Sequence, residues 1–352
     1  MRWTAPVGFS ALVAALVLAE VAGQIYFRGH QGHWLMQDPA FTSSEAIPYT
    51  MPVRDRRQYS LRPGFSDGQQ NVDARGFRVT VPADQPGDRV VVVIGDSIPF
   101  GAGVPDVETY PSVLAQQLRA DGRQLSVVNA GVASYNTQQS FDRLRIDVLR
   151  HFKPEQIAAV VFNATNDISL VDYNRGFYAP GLTWARGRNL VPLRPPWQRF
   201  ALAYYASPTD QAPARPEVAY ASRADEDDAM IDHVRTSLRE ALGYWAQWRT
   251  PIILLPINPF YYQIRNQQKN GKLRVLQEVY KGRLTEMDDW DALTRRFNQV
   301  LEETAAEYPN VRYLETRAIF DDEDRDAGYA GYSHLSPAGH QLMAKILFTA
   351  MP

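Results

Sequence analysis

Arg89-Val90-Val91-Val92-Val93-Ile94-Gly95-Asp96-Ser97 is the stretch that decides the fold. Five β-branched residues follow one another with no polar residue between them. A strand with one wet face alternates; an unbroken run suits a strand buried on both faces, as in a parallel sheet. Gly95 ends the run and permits a tight bend close to neighbouring backbone.

The pattern repeats downstream. Pro111 sits in the first turn of a helix that runs to Ala120 and stops at Asp121-Gly122. Ser126-Val127-Val128-Asn129 is a second strand, followed by Ala130-Gly131. Asn136-Thr137 caps a helix whose Phe141, Leu144, Val148 and Leu149 fall at helical spacing. Ile157 to Phe162 is a third buried strand, ending in Asn163-Ala164-Thr165-Asn166-Asp167. An acidic start at Asp225-Glu226-Asp227-Asp228 opens a helix towards Arg249, as the helix dipole favours. Pro251 to Leu255 is a fourth strand, Asp288 to Tyr308 a helix, and Val311 to Leu314 a fifth strand. A last helix runs to Leu347, with Ser336 as N-cap and Pro337 at its first position. This alternation predicts a doubly wound, three-layer α/β/α domain with a mainly parallel five-stranded sheet. Such folds bind ligands at the carboxyl ends of the strands, where Ser97, Gly131 and Asn166 fall.

The bulk numbers narrow the chemistry. With 37 Lys+Arg against 39 Asp+Glu, the formal net charge is -2, so no global field draws in nucleic acid. Cysteine is absent, which excludes disulfides, thiolate metal sites and cysteine nucleophiles. Neither an HExxH motif nor a His-x-His pair occurs, so no metal site is expected. No cofactor is expected either.

At the N-terminus Arg2 precedes an apolar run from Ala5 to Ala19; Glu20 interrupts it, and Val21 to Phe27 continues it. Three readings stay open for residues 1–28: an uncleaved signal anchor, a cleaved signal peptide, or a buried helix. The positive charge on the short side favours the anchor with the bulk of the chain outside the cell membrane, in the periplasm; secretion after cleavage is the alternative. Residues 29–85, rich in Pro, Gly, Gln, Asp and Arg, read as a stalk or lead-in packed on the domain surface. The globular domain spans 86–352. It is interrupted at about 171–225 by an irregular insertion carrying Tyr173, Phe177, Tyr178, Trp184, Trp197, Phe200, Tyr204 and Tyr205. These aromatics either pack the insertion against the sheet or stack on a ligand.

Four short blocks carry a resemblance. Gly95-Asp96-Ser97-Ile98 with Gly101, Asn129-Ala130-Gly131-Val132, Ala164-Thr165-Asn166-Asp167, and Ser333-His334-Leu335-Ser336-Pro337 with Gly339-His340 resemble, in order, the motifs of the SGNH/GDSL hydrolase superfamily. Gly76-Phe77-Arg78 resembles a segment that precedes the first strand in membrane-anchored bacterial members. The resemblance implies the flavodoxin-like SGNH fold. It also implies Ser97 as nucleophile, His334 as base, and an oxyanion hole formed by the Ser97 and Gly131 N–H groups and the Asn166 amide.

The chain departs from the family pattern at two places. Ala164 replaces the usual glycine, and Gly331 stands where the family has its acidic triad member. Asp326 is the preferred substitute among Asp321, Asp322, Asp324 and Asp326, and a Ser–His dyad is also workable. His340 is expected to be structural. The function implied is a serine-dependent O-acyl esterase acting through an acyl-serine, with a small-molecule or glycan ester of the cell envelope as substrate. An O-acyltransferase using the same site on envelope polysaccharide, and an inactive glycan-binding or scaffold protein, are the alternatives. Nucleic acid is not an expected partner; the membrane is, through the N-terminal helix.

Overall fold

The computed structural model describes residues 5–31, 49–53, 55–57, 59–85, 87–163, 167, 200, 223–257, 287–316, 329–330 and 334–351. The chain divides into two compact units, one made of residues 1–52 and 179–218, the other of residues 53–178 and 219–352.

In the first unit, helix α1 spans Ala5–Gln31 and strand β1 spans Thr50–Pro52. The expected N-terminal helix forms. The expected membrane span is not supported: among the described residues no helix is long and apolar enough to cross a membrane. Glu20 and Gln24, hydrogen-bonded at 2.8 Å, interrupt its apolar surface, and the side chains of residues 5–12 lie outside the described ones. Val13, Leu16, Val17, Leu18, Val21, Ile25 and Tyr26 are exposed on it. Of the insertion's aromatics only Phe200 is described, and it is exposed; the other seven lie outside the described residues.

The second unit holds the α/β elements. Its elements are β2 (Tyr59–Leu61), β3 (Arg89–Gly95), α2 (Ser97–Phe100), α3 (Tyr110–Ala120), β4 (Leu125–Asn129), α4 (Thr137–Arg143), β5 (Ile157–Asn163), α5 (Arg223–Ala246), β6 (Ile252–Leu254), α6 (Met287–Ala306), β7 (Val311–Tyr313), β8 (Tyr329–Ala330), β9 (His334–Leu335) and α7 (Pro337–Ala350). After α4 the chain runs on through a π turn at Leu144–Val148 and a helical turn at Leu149–His151.

The five-stranded sheet has the order β4-β3-β5-β6-β7 with every pair parallel. The unbroken Val run explains why β3 is central: both of its faces are covered. Val90, Val92 and Ile94 pack with Phe141, Leu144, Val234, Leu238, Trp245, Phe297 and Leu301 of α4, the π turn, α5 and α6. Val91 and Val93 pack with Tyr110, Leu114, Leu118, Met343 and Leu347 of α3 and α7. That division is the doubly wound, three-layer arrangement. The chain leaves β3 towards β4 on one side and returns to β5 on the other, so the carboxyl end of β3 is the topological switch point.

The lead-in is part of this unit from Val53 onward. Phe77 lies in the core, and the Arg78 guanidinium is fully buried, paired with Asp106 at 2.7 Å and stacked over Phe100. Its composition suggests a surface segment because the buried arginines that anchor it resemble surface charges in a sequence.

Candidate active site

The site grows from the end of β3. Gly95 has φ 143, and a Cβ there would lie 1.7 Å from the Asn163 carbonyl oxygen, so only glycine fits between β3 and β5. Asp96 is fully buried, and its carboxylate accepts the Ile98 N–H at 2.8 Å, capping α2. Ser97 is thereby the first residue of α2 and is partly exposed. Its backbone N–H has no partner among the described residues.

The loop after β4 is stapled to α2. Asn129, fully buried, donates from its side-chain amide to the Pro99 carbonyl at 2.7 Å. Its Oδ1 accepts the Gly131 N–H at 3.1 Å. Gly131 lies against α2 so closely that a Cβ would come 2.5 Å from the Phe100 nitrogen. The N–H expected to serve the oxyanion is therefore occupied by Asn129 in this conformation. Further along the same loop Ser134 holds φ 63, one of two described non-glycine residues in the left-handed region. Such conformations are held by surrounding structure and cluster at functional sites. No sequence pattern marked this position.

The same loop is clasped from the lead-in. Tyr59 donates its hydroxyl to the Ala133 carbonyl at 2.8 Å, and Tyr135 donates its own to the Tyr59 carbonyl. Arg143, fully buried, donates to the carbonyls of Ala130 (2.8 Å) and Gly76, to the Ser60 hydroxyl (2.6 Å) and to Asp147 (2.8 Å). These anchors have partners far apart in the chain, so sequence spacing does not reveal them.

Asn166 and Ala164 lie outside the described residues. The neighbouring Asp167 is buried and accepts the Thr137 N–H at 2.9 Å and the Thr137 hydroxyl at 2.8 Å. That contact ties the end of β5 to the capped start of α4, where Asn136 and Gln139 form a reciprocal capping box.

His334 sits on β9, which pairs antiparallel with β8 and packs against α2 with α-carbons within 8 Å. The fold thus brings the elements bearing Ser97 and His334 together. Burial lowers the His334 pKa, which favours the neutral imidazole a general base requires. Gly331, Asp326, Asp324, Asp322 and Asp321 lie outside the described residues. His340 is almost fully buried on α7; its Nδ1 accepts the Tyr110 N–H at 3.1 Å and its ring stacks on Tyr110. Burial, with His334 and Arg78 nearby, pushes its pKa down to about 3. Among the described residues no group of three or more His, Asp or Glu is placed to hold a metal ion.

A family model described as "GDSL-like Lipase/Acylhydrolase family" matches residues 93–342. No curated protein matches the chain. Among solved structures, the acetyl xylan esterase AlAXEase is 14% identical with a TM-score of 0.43, the match covering 74% of this chain and 98% of that one. A lipolytic protein of the G-D-S-L family from Veillonella parvula DSM 2008 is 14% identical with a TM-score of 0.43, covering 74% and 96%. The psychrotrophic esterase EstA from Pseudoalteromonas sp. is 12% identical with a TM-score of 0.41, covering 74% and 96%.

Proposed function

We propose, for a chain that belongs to the GDSL-like lipase/acylhydrolase family and is therefore a hydrolase acting on ester bonds, that it is an O-acyl esterase working through an acyl-serine on Ser97. The Ser97 hydroxyl attacks the acyl carbonyl while His334 takes its proton, forming the C–O bond of a tetrahedral intermediate. His334 then returns the proton to the departing alcohol. Water repeats the cycle, releasing the acid and regenerating Ser97. The Ser97 N–H and the Asn166 amide hold the developing oxyanion. The Gly131 N–H joins them when Asn129 releases it. Losing one such donor costs a factor on the order of 100 to 1000 in rate.

The observation that carries this reading is the junction of α2 and β9. A serine begins a capped helix with its N–H unpartnered among the described residues, and that helix packs against the strand bearing His334, whose pKa burial lowers. The substrate in this reading is a small-molecule or glycan ester outside the cytoplasm. What supports that location is the apolar N-terminal run behind Arg2. Hydrolysis of p-nitrophenyl acetate by the wild-type protein and by Ser97→Ala tests the proposal. The variant is expected to lose activity by at least a factor on the order of 1000; equal rates would overturn it.

A further inference from the structure

From Gly131 to Thr137 every residue is buried except Ser134. The Tyr135 N–H donates to the Val132 carbonyl at 3.1 Å and closes a four-residue turn. Ser134 is the third residue of that turn, with φ 63, where glycine or asparagine is the usual occupant. A serine there costs energy that glycine would not. The turn is held in that conformation from behind. Its Ala133 carbonyl accepts the Tyr59 hydroxyl at 2.8 Å, and the Tyr135 hydroxyl reaches back to the Tyr59 carbonyl. Both clasps come from the lead-in, and Val132 and Tyr135 are fully buried. Ser134 is the side chain of this turn that reaches solvent.

The turn also lies between two anchors of the proposed chemistry. On one side Gly131 is seated on the backbone that presents Ser97, where a Cβ would come 2.5 Å from the Phe100 nitrogen and 3.1 Å from the Asp96 carbonyl oxygen. On the other side Thr137 is bonded to Asp167 at 2.9 and 2.8 Å, and Asp167 follows Asn166 in the chain. Ser134 stands midway between Gly131 and Thr137. A turn fixed at both ends and clasped from behind holds its side chain in place before a ligand arrives, which is what a specificity contact requires. It follows β4 at the carboxyl end of the sheet, beside the switch point where ligands of such folds bind.

The hydroxyl defines the ligand group. It both donates and accepts, so another hydroxyl satisfies it and a hydrocarbon does not. We propose that Ser134 is a specificity residue whose hydroxyl binds a free hydroxyl vicinal to the scissile ester, so that the site prefers acyl esters of polyols and sugars to those of simple alkanols. The inference rests on the esterase reading of the same site and narrows the alcohol that the site takes.

Glycerol monoacetate and propyl acetate share the acyl group and the carbon skeleton of the alcohol, and differ in the free hydroxyls. kcat/KM is measured for both esters in the wild-type protein, Ser134→Gly and Ser134→Ala. Each variant lacks the hydroxyl; glycine relieves the left-handed backbone and alanine keeps its cost, so the pair separates the hydroxyl from the strain. Glycine suits the turn, so Ser134→Gly is expected to fold. The wild-type ratio of the two kcat/KM values is expected to favour glycerol monoacetate. It should fall by about three- to tenfold in both variants, the worth of one neutral hydrogen bond. A wild-type preference for propyl acetate, a ratio unchanged in both variants, or a fall confined to one of them would overturn the proposal while leaving the esterase reading in place. Wild-type protein that hydrolyses neither ester would overturn both.

Discussion

Asp167 accepts two hydrogen bonds from Thr137, one from its N–H at 2.9 Å and one from its hydroxyl at 2.8 Å, and both residues are buried. Thirty positions apart in the chain, they join the loop that follows β5 to the first turn of α4. A carboxylate at a helix N-terminus is favoured by the free N–H groups and the dipole there. The contact fixes the chain next to Asn166, the side chain proposed to hold the oxyanion.

Replacing Asp167 by alanine leaves both Thr137 donors buried and unmet, at about 1 to 3 kcal/mol for each. Asp167→Ala is expected to lower stability by a few kcal/mol in urea unfolding. It should also reduce kcat more than it raises KM, because it shifts an oxyanion donor rather than the acyl pocket. An unchanged kcat would separate this contact from the chemistry.

Gly131→Ala places a methyl 2.5 Å from the Phe100 nitrogen and 3.1 Å from the Asp96 carbonyl oxygen. Both atoms are backbone of the turn that presents Ser97, so α2 must move to make room. Kinetics should show kcat/KM falling by a factor on the order of 100 or more, since displacements of about 1 Å are enough to do so. Thermal unfolding should show a loss of about 1 to 3 kcal/mol from overpacking. Near-wild-type activity would mean that the loop yields without disturbing Ser97.

The pH profile follows from His334. Burial lowers its pKa below the usual histidine value, so the imidazole stays neutral, and able to accept the Ser97 proton, into mildly acidic solution. In a kcat/KM profile the acid limb is expected below pH 6.5 and should report one ionisation. A limb above 6.5 would require a carboxylate that holds the imidazolium in place.

Stability should follow His340. Its folded pKa is depressed to about 3, well below the 6.5 of the free side chain, so the unfolded chain binds the proton first. The stabilisation is complete above pH 6.5 and is lost progressively as pH falls towards 3. Chemical denaturation across that range should show a decline that His340→Gln flattens, since glutamine can still accept the Tyr110 N–H but does not titrate. His233, depressed to about 4 by burial, adds to the same decline. A decline of equal slope in His340→Gln would assign it elsewhere.

The sheet was legible in the sequence because its central strands are buried on both faces, so that Val90–Ile94 and Ile157–Phe162 read as unbroken apolar runs. Helix starts were legible where a side chain caps them, as at Asn136 and Ser336. The lead-in reads as a stalk or surface segment because Arg57 and Arg78, and Arg143 of α4 that bonds to its Ser60 and Gly76, carry a surface signature although each is buried against carbonyls or carboxylates. Arg78 and Arg143 draw partners from distant positions, Asp106 for the first and Ser60 and Gly76 for the second. The occupied Gly131 N–H and the left-handed Ser134 were illegible for a related reason: which amide points where depends on how Asn129 and the Tyr59–Tyr135 clasp fold the loop.

The central claim is that Ser97 carries the acyl group between ester and water. Rapid acid quench of the wild-type protein during turnover of p-nitrophenyl acetate, followed by peptide mass analysis, tests it most directly. One acetyl group is expected on the peptide bearing Ser97, absent from Ser97→Ala and diminished in His334→Ala, which lacks the base that activates the serine. Turnover that continues undiminished in Ser97→Ala, or an acetyl group found only on another residue, would contradict the account.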